Sequence, residues 1–313
     1  MASQVNRSES AVGQQRRPEK SWNNREALVA YLFLLPSLIG FITFFAIPAV
    51  RGFWISFHEW DLLAPPGYEP EFVGLANYAR LFGDSQFYNS LTVTLRYVLW
   101  NIPLQTALAV VIAVMMDRLT KSMFVRGMLL LPWLMPNVIV ALLWLWLLDP
   151  GLGLINQLWE GMGFEGWGFF GNPDQAIQTI AGVNVWRHVG YTALLIFAGL
   201  QTIPKQLYEA AAIDGATELR AFWHVTVPLL RPVLAFVLVT SLIGSFQIFD
   251  TVAVTTEGGP GISTKVINWL IYERAFERLD MGYATTIANA LFVILVGISL
   301  IQLRLFRADE SDF

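Results

Sequence analysis

The sequence contains no cysteine and only three histidines, His58, His188 and His224, among its 313 residues. Without cysteine the chain can form no disulfide, hold no iron–sulfur cluster and supply no thiolate nucleophile. The histidines are scattered, no His-x-x-x-His pair occurs, and no paired carboxylates face each other within an apolar run. Zinc chemistry and acid–base chemistry inside a membrane therefore lack their usual groups. We predict no catalytic residue, no metal site and no enzymatic activity for this chain.

Charge is scarce as well. Only 14% of the residues are Asp, Glu, Lys or Arg, whereas 55% are hydrophobic. Soluble domains carry about a quarter charged residues, so the composition indicates an integral membrane protein surrounded by a lipid bilayer. The net charge of −4 says little, because in such a chain the placement of charge matters more than its sum. No nucleic-acid partner is predicted.

Six long apolar runs follow one another after residue 26. Five are uncharged and lie between Glu26 and Arg51, Arg96 and Asp117, Arg126 and Asp149, Arg231 and Asp250, and Asp280 and Arg304. The sixth, about Ile177–Ile203, is interrupted by Arg187 and His188. A helix needs roughly 20 residues to cross the hydrocarbon core, and lipid offers no partner to unpaired backbone groups. The runs predict an all-α integral membrane protein with six transmembrane helices, forming one domain over residues 26–304.

The placement of lysine and arginine predicts the orientation, because cytosolic segments of membrane proteins are enriched in both residues. With the N-terminus inside, most of them fall in cytosolic segments: Arg7, Arg16, Arg17, Lys20, Arg25, Arg118, Lys121, Arg126, Lys205, Arg220, Arg231, Arg304 and Arg307. Fewer fall in external segments: Arg51, Arg80, Lys265, Arg274 and Arg278. The N-terminus, the C-terminus and the segment around Glu209 are therefore predicted to be cytosolic.

The two ends of the chain are polar. Residues 1–25 are rich in Ser, Gln, Asn and Arg, which predicts a disordered cytosolic N-terminus. Arg16-Arg17-Pro18 has the start of a twin-arginine export signal, but the apolar run that follows is too long and lacks a small-residue cleavage site. A retained, uncleaved anchor is therefore favoured. Residues 305–313 are predicted to form a cytosolic tail.

Glu209–Pro232 is the longest polar interval between two apolar runs in the second half of the chain, and the predicted loop that contains it spans residues 204–232. Pro204 suits the first turn of a helix, and Lys205–Ile213 then predicts one short helix. Gly215 can adopt a positive φ and so end that helix, and Thr217 is a plausible N-cap for a second helix. The predicted helix–turn–helix needs a partner outside the membrane to bury its apolar face.

The residues of this loop also resemble a known family. Glu209-Ala210-Ala211 and Asp214-Gly215-Ala216, followed by Val225, Val227 and Pro228, resemble the EAA loop of binding-protein-dependent ABC importer permeases. In that family the loop is the coupling helix that docks into a groove on the cytosolic ATPase subunit. The resemblance implies an ATPase-coupling set of Glu209, Ala210, Ala211, Asp214, Gly215 and Ala216. A solvated connector in which Glu-Ala-Ala is accidental is the alternative.

Three further stretches are similar to the carbohydrate subgroup of that family, the maltose and glycerol-phosphate type. They are Phe72–Tyr78, Phe246–Gly261 and Met281–Ala284. The second is glycine-rich and precedes Lys265, but it lacks the Gly-Lys-Ser/Thr sequence of a phosphate-binding loop. The aromatic residues between Asp149 and Pro173 are either interfacial anchors or part of a cap that touches an external binding protein.

Polar residues within the apolar runs are the candidates for a solute site, because they are costly in lipid. The predicted substrate-binding set is Asn184, Arg187, His188 and Tyr191 from one run, and Ser241, Ser245 and Gln247 from the next. The residues of the first run share one helical face. The resemblance implies sugar contacts near Asn184, Tyr191, Ser241 and Ser245, whereas helix–helix packing through the same residues is the alternative. Arg187 and His188 either favour a phosphorylated or acidic substrate or lie at the outer membrane surface.

The resemblance covers nearly the whole chain after residue 26. It implies one permease subunit of an ATP-driven importer for a sugar or a glycerol-phosphate-like solute, in a bacterial or archaeal plasma membrane. The implied partners are a second permease subunit, two ATPase subunits that bind ATP and Mg2+, and an extracytoplasmic solute-binding protein; this chain itself would bind no cofactor. One alternative is an ion-coupled secondary transporter, which would need an acidic or histidine relay and internal repeats. Another is a membrane-bound glycosyl- or lipid-modifying enzyme, which would need a carboxylate pair or a metal motif.

Overall fold

The computed structural model describes residues 24–61, 63, 67, 69–119 and 122–307. The predicted disordered N-terminus and cytosolic tail therefore lie outside the described residues, except that residues 24–25 and 305–307 are helical. The chain divides into two compact units, residues 1–51 and residues 52–313. The packing and the cavities described below belong to the second unit.

Helices make up most of the described chain. The first half contains α1 (Asn24–Phe41), α2 (Ile47–Ile55), α3 (Ala76–Gly83), α4 (Ser85–Leu119), α5 (Met123–Leu134), α6 (Asn137–Leu147) and α7 (Leu154–Gly161). The second half contains α8 (Ala176–Leu200), α9 (Lys205–Ile213), α10 (Glu218–Ala221), α11 (Val227–Leu229), α12 (Arg231–Phe246), α13 (Asp250–Thr255), α14 (Ile267–Tyr272) and α15 (Met281–Arg307). Shorter elements are the π-helical segments Ile42–Ala46, Phe222–Thr226 and Glu273–Glu277 and the 3-10 turn Phe169–Gly171. Two short strands, β1 (His58–Glu59) and β2 (Glu71–Phe72), pair antiparallel.

The long helices correspond to the apolar runs of the sequence. By length and composition, four helical stretches of the described chain could cross a membrane: Leu28–Ile55, Ser85–Leu119, Arg231–Thr255 and Met281–Leu305. The bent pair of α5 and α6 makes a fifth if it counts as one span. Helix α8 occupies the sixth predicted run and has 25 residues, but Asn184, Arg187 and His188 make it too polar to belong to this set. The prediction of a helical membrane protein is thus confirmed, while the composition of the helices supports four or five spans.

The third apolar run, predicted as one helix, is broken. Helices α5 and α6 meet at an angle of 91°. Proline explains the break, because Pro136 disfavours helical geometry for the residue before it, and Met135 is extended at φ −74° and ψ 139°. Pro132, in the last turn of α5, removes one further helical N–H group. Two prolines close together therefore end one helix and start another in a new direction.

Helices α4 and α8 form the most extensive helix pair of the fold. Helix α8 also packs closely on α5 and α12 because it carries glycine at both contacts. A Cβ added to Gly190 would lie 1.8 Å from the Leu129 carbonyl oxygen, and a Cβ added to Gly199 would lie 2.8 Å from Val233 Cγ2. Small residues at such contacts let helices approach each other closely. Helix α8 is thus held on several sides, and it positions the site described below.

Charged and aromatic side chains join the beginnings of α4 and α15. The Tyr283 hydroxyl donates to Asp84 Oδ2 at 2.6 Å, and Arg80 pairs with Asp280 at 2.7 Å. Burial acts to raise the pKa of the Asp84 carboxyl, but the hydrogen bond from Tyr283, two backbone amides and the charge of Arg274 together hold that pKa below its ordinary value. Asp84 therefore stays ionised at neutral pH and keeps the two helix ends together.

We expect Gly190→Ala to lower the melting temperature of the purified protein, because the new methyl group would collide with the Leu129 carbonyl group. Overpacking of a well-packed core costs about 1–3 kcal/mol. Thermal unfolding in detergent measures the change.

Gly182→Ala, on the same helix, is the matched control, because nothing lies within 4 Å of a Cβ at that position. Alanine is favoured over glycine in a helix interior by about 1 kcal/mol, so this variant should melt at or slightly above the wild-type temperature. An unchanged melting temperature for Gly190→Ala would contradict the close packing of α8 on α5.

Candidate functional site

A cavity of about 240 Å3 lies among α4, α8, α12 and α13, with the break between α5 and α6 beside it. Six of the seven residues predicted to bind substrate line this central cavity: Asn184, His188, Tyr191, Ser241, Ser245 and Gln247. The seventh, Arg187, is not part of the lining. Residues from two apolar runs on either side of the 204–232 loop thus meet in one place, while substrate binding by them stays a prediction.

Helix α4 contributes a polar face that the sequence analysis missed. Tyr97, Asn101 and Gln105 line the central cavity, and their spacing of i, i+4 and i+8 places them on one side of the helix. The same helical spacing singled out the polar face of α8, so it was the signal that could have identified this face. Trp133 and Asn137 also belong to the lining, but only the break between α5 and α6 brings them there.

Hydrogen bonds between helices fix several of the lining side chains. Asn101 Nδ2 donates to Ser245 Oγ at 2.9 Å, and Gln105 Nε2 donates to Thr192 Oγ1 at 2.8 Å. Asn184 Nδ2 donates to Thr251 Oγ1 at 3.2 Å and to its own helix backbone. Such bonds satisfy polar groups that would be costly in lipid. The same side chains therefore both pack the helices and face the cavity, and the two predicted roles are geometrically compatible.

An aromatic pair forms part of the cavity wall. The rings of Trp133 and Tyr191 are stacked, with centroids 4.6 Å apart and an angle of 9° between the planes. Each ring is about a third exposed. One face of Tyr191 is therefore covered by Trp133, and only its other surfaces remain for the sugar contact that the resemblance implies.

Arg187 points at the break between α5 and α6. Its Nε and Nη2 atoms donate to the Met135 carbonyl oxygen at 3.2 and 2.8 Å, and Nη2 also donates to the Trp133 carbonyl oxygen at 3.1 Å. These two carbonyl groups lie where the helix ends, so they lack the helical N–H partners that an unbroken helix would provide. The guanidinium group therefore caps the broken helix, a role that neither sequence-based alternative for this residue includes.

His188 is held in one protonation state by its neighbours. Arg187 Nη1 lies 2.9 Å from His188 Nε2, and a guanidinium group can only donate. Nε2 must then accept, so we assign the proton to Nδ1, which lies 2.9 Å from the Asn184 carbonyl oxygen and donates to it. The imidazole is consequently neutral in this arrangement.

The charge of the cavity wall is carried by one carboxylate. Asp250 is the only acidic residue of the lining, and the lining contains no lysine or arginine. Asn137 Nδ2 donates to Asp250 Oδ2 at 2.6 Å, which orients the carboxylate. Arg187 is near enough to interact electrostatically with Asp250, but its hydrogen bonds are directed to the break. The wall therefore offers a ligand amide, hydroxyl, aromatic and carboxylate groups.

The 204–232 loop has the helix–turn–helix form that the sequence predicts. Helix α9 begins after Pro204, in the N-cap position, and ends at Ile213. Gly215 has φ +75°; its N–H donates to the Ala212 carbonyl oxygen at 3.1 Å, and the N–H of Ala216 donates to the Ala211 carbonyl oxygen at 2.9 Å. This pattern is a Schellman C-cap.

The second part of the loop begins at the predicted residue. Thr217 is the N-cap of α10, and its Oγ1 accepts from the Arg220 N–H at 3.4 Å. Glu209 is exposed and makes no hydrogen bond or ion pair with the part of the chain that the structure describes. Its carboxylate is therefore accessible to a partner.

Side-chain contacts tie this loop to the end of α4. Glu218 in the loop forms an ion pair with Arg118 of α4. Just before the loop, Gln201 at the end of α8 donates from Nε2 to Asp117 Oδ1 of α4 at 2.6 Å. Within the loop, the hydroxyl groups of Tyr208 and Thr226 are 2.9 Å apart. A displacement of the loop would thus be transmitted to α4, and α4 contributes three residues to the central cavity.

Comparison with known proteins gives consistent sequence matches. Residues 105–306 match the family model described as "binding-protein-dependent transport system inner membrane component". The trehalose/maltose transport system permease protein MalF of Thermococcus litoralis is 35% identical over 288 residues, covering 91% of this chain and 96% of that protein. The sn-glycerol-3-phosphate transport system permease protein UgpA of Yersinia pseudotuberculosis is 34% identical over 276 residues, covering 88% and 92% respectively.

Solved structures agree in fold. A bacterial ABC transporter involved in the import of the acidic polysaccharide alginate contains a chain that superimposes with a TM-score of 0.78 at 23% identity, covering 91% of this chain and 96% of that one. The alginate transporter in complex with a periplasmic protein bound to an alginate pentasaccharide gives a TM-score of 0.77 at the same identity. At this level of identity the likeness establishes the fold alone.

We expect Arg187→Met to lower the melting temperature of the purified protein, because the carbonyl groups of Trp133 and Met135 would lose their donors. A buried polar group left without a partner costs about 1–3 kcal/mol. Arg187→Lys should recover only part of the loss, because an ammonium group lacks the planar fork that reaches two acceptors. Thermal unfolding in detergent provides the measurement.

Arg278→Met is a control of equal charge change, because Arg278 is 66% exposed and lies 3.7 Å from Glu273, which keeps its 2.6 Å ion pair with Lys265. A long ion pair with one exposed partner contributes about 0–1 kcal/mol. If Arg187→Met melted like the wild type, Arg187 would not be needed to cap the break.

Proposed function

The chain belongs to the family of binding-protein-dependent transport system inner membrane components, and from this premise we propose that it is one permease subunit of an ATP-driven importer of neutral sugars. In this proposal six helical spans cross the plasma membrane of a bacterium or archaeon. The broken pair of α5 and α6 supplies one span and the polar helix α8 another, and both termini face the cytosol.

The observation that carries this proposal is the convergence of polar side chains on the central cavity. Asn184 and Tyr191 of α8, Ser241 and Ser245 of α12, and Asn101 of α4 line it together. A sugar needs directional hydrogen bonds from amide and hydroxyl groups, and an aromatic surface against its C–H face. The lining supplies both kinds of group within the membrane-spanning part of the chain, so we assign it to the solute path.

The charge of the lining favours a neutral solute over an anionic one. The named relatives do not decide the matter, since one carries trehalose/maltose in its name and another glycerol 3-phosphate. Phosphate recognition in proteins relies on arginine or lysine donors, and the lining contains neither. A phosphate in such a site would lie beside the carboxylate of Asp250, and the lining itself has no lysine or arginine to offset two like charges. We therefore assign a neutral, hydroxylated solute to this chain.

The partners in this proposal follow from the loop. A second permease subunit would complete the solute path, and an extracytoplasmic binding protein would deliver the solute. Two ATPase subunits, which hold ATP and Mg2+, would dock on the loop through Glu209 and the small residues Ala210 and Ala211. Large apolar side chains on the loop, among them Ile213 at 86% and Trp223 at 60% exposure, support a partner that covers this surface.

Coupling then follows from the contacts of the loop. Closure of the ATPases would push the loop, and the Arg118–Glu218 ion pair would carry that motion into α4, which the Gln201–Asp117 hydrogen bond joins to the end of α8. Both helices line the central cavity, so its access would change with the state of the ATPases. The alternative of an ion-coupled secondary transporter without ATPase subunits has no support among the relatives named above.

We expect Gly215→Val to abolish ATP-driven solute uptake while leaving assembly of the subunits in the membrane largely intact. The positive φ of Gly215 is strained for a β-branched residue, so the C-cap of α9 would be distorted where the ATPase docks. Gly215→Asn is the matched control, because asparagine tolerates this conformation. Uptake into proteoliposomes and co-purification of the subunits are the measurements. Normal uptake by Gly215→Val would show that this turn is not needed for coupling.

We expect the purified importer to bind maltose more tightly than glycerol 3-phosphate, and Asp250→Asn to narrow that difference. Removing one charge a few ångströms from a phosphate should raise its affinity about tenfold. Equilibrium binding of the two radiolabelled solutes measures both effects. Glu165→Gln, an exposed carboxylate outside the lining, should leave both affinities unchanged.

The two parts of the proposal can fail separately in this experiment. Equal affinity for maltose and glycerol 3-phosphate in the wild type would contradict selection by charge. If Asp250→Asn and Tyr191→Ala both bound the two solutes with wild-type affinity, the assignment of this cavity to the solute path would be wrong.

A further inference from the structure

A second and larger cavity of about 670 Å3 lies on another side of α4 and α8. Its wall is formed by α4, the end of α6, the beginning of α8 and the segment before α8. The lining residues are Trp100, Trp144, Leu148, Trp167, Phe169, Asp174, Gln175, Gln178, Thr179, Gly182 and Val183. None of them lines the central cavity, so this lateral cavity is a separate feature of the molecule.

Polarity changes along the length of the lateral cavity. Its polar residues, Asp174, Gln178 and Thr179 among them, lie at the beginning of α8 or just before it, and the next residues of the helix to line it are Gly182 and Val183. The remaining lining, which includes Trp100 and Leu148, is largely apolar. A molecule that fits this wall is polar at one end and apolar along the rest, as a membrane lipid is.

Two buried polar atoms in this wall lack a hydrogen-bond partner among the described residues. They are the indole nitrogen Nε1 of Trp144, which can only donate, and Oε1 of Gln178, which accepts. Whichever way the Gln178 amide is turned, one of its polar atoms stays unpaired there. A buried polar group without a partner is costly. Both atoms have almost no accessible surface, so a ligand reaches them after the side chains of Trp144 and Gln178 turn toward the cavity.

The lateral cavity is reached from the side of the helices. Trp100 is 53% exposed, Gly182 is exposed, and nothing lies within 4 Å of a Cβ at Gly182. Trp100 belongs to a stretch long and apolar enough to cross a membrane. What surrounds such a stretch is lipid, and interfacial tryptophan residues favour contact with the headgroup region.

The charge of the wall selects among lipids. Asp174 is the only charged residue of the lining, which contains no lysine, arginine or histidine. An anionic headgroup such as phosphatidylglycerol would find no cationic partner there. A headgroup with an ammonium group can donate to the carboxylate of Asp174 and to Gln178 Oε1, and its phosphate or ester oxygens can accept from Trp144 Nε1.

We infer that the lateral cavity is a binding site for a phospholipid with an amine headgroup, of the phosphatidylethanolamine type. The acyl chain lies along Trp100, Leu148 and Val183, and the headgroup lies at the beginning of α8. The inference requires a bilayer around α4 and α8 but does not depend on which solute the protein transports.

The experiment compares lipid retention by the purified importer from membranes that contain phosphatidylethanolamine and phosphatidylglycerol in equal amounts. Native mass spectrometry of the detergent-solubilised assembly counts each lipid bound. We expect the wild type to retain phosphatidylethanolamine in preference to phosphatidylglycerol. Gly182→Leu, which places a side chain in the cavity, should lose this retention. Trp144→Phe keeps the shape of the wall but removes the donor, and should weaken retention about tenfold.

The matched control is Gly297→Leu, since Gly297 is also exposed on a membrane helix with nothing within 4 Å of its Cβ, and it should retain the lipid like the wild type. Equal retention of the two lipids, or wild-type retention by both Gly182→Leu and Trp144→Phe, would overturn the inference. If maltose displaced the lipid, the lateral cavity would be a second sugar site and the inference would be wrong. If the wild type retained no lipid at all, the inference would also be wrong, and contact with another subunit would be the alternative for this face.

Discussion

The capping of the α5–α6 break by Arg187 is the interaction on which the central cavity depends. A chain that turns by 91° between two apolar helices leaves carbonyl groups without their helical partners, and lipid could not satisfy them. Arg187 reaches the carbonyl oxygens of Trp133 and Met135 from α8, so the break becomes tolerable where it occurs. Trp133 and Asn137 lie on either side of the break, and the change of direction brings both into the cavity wall. A charged residue within an apolar stretch is usually a sign of a functional group. Arg187 instead stabilises the break that shapes the cavity, without lining the cavity itself.

Helix α8 combines this role with three others. Gly190 brings it against the backbone of α5, its polar face lines the central cavity, and its last residues lead into the loop that begins at Pro204. Because no side chain separates α8 from α5 at Gly190, the two backbones are in direct contact there. Helix α8 and the contacts of α4 with the loop thus join the walls of the central cavity to the loop that we propose meets the ATPases.

The accuracy of sequence-based prediction for this chain depends on how local each feature is. Gly215 and Thr217 were predicted correctly as helix end and helix start, because positive φ and side-chain capping are decided within a few residues. The polar face of α8 followed from helical spacing alone. The break after Met135 was missed although Pro132 and Pro136 are visible in the sequence, because a long apolar run outweighed them. The partner of Arg187 was beyond prediction, since it lies 52 residues away in the chain and becomes a neighbour only after the helix is broken.

The two cavities show how one helix can separate two chemical environments. On one side of α8, Asn184 and Thr192 are buried and hydrogen-bonded to neighbouring helices, so the polar wall costs little to keep within the membrane. On the other side, the wall is largely aromatic and aliphatic, and its polar residues are confined to the beginning of the helix and the segment before it. Lipid does not compensate a polar face, and a sugar gains little from a largely apolar one. The division of residues between the faces of α8 is therefore the physical basis of both proposals, with a hydroxylated solute inside the bundle and the bilayer outside.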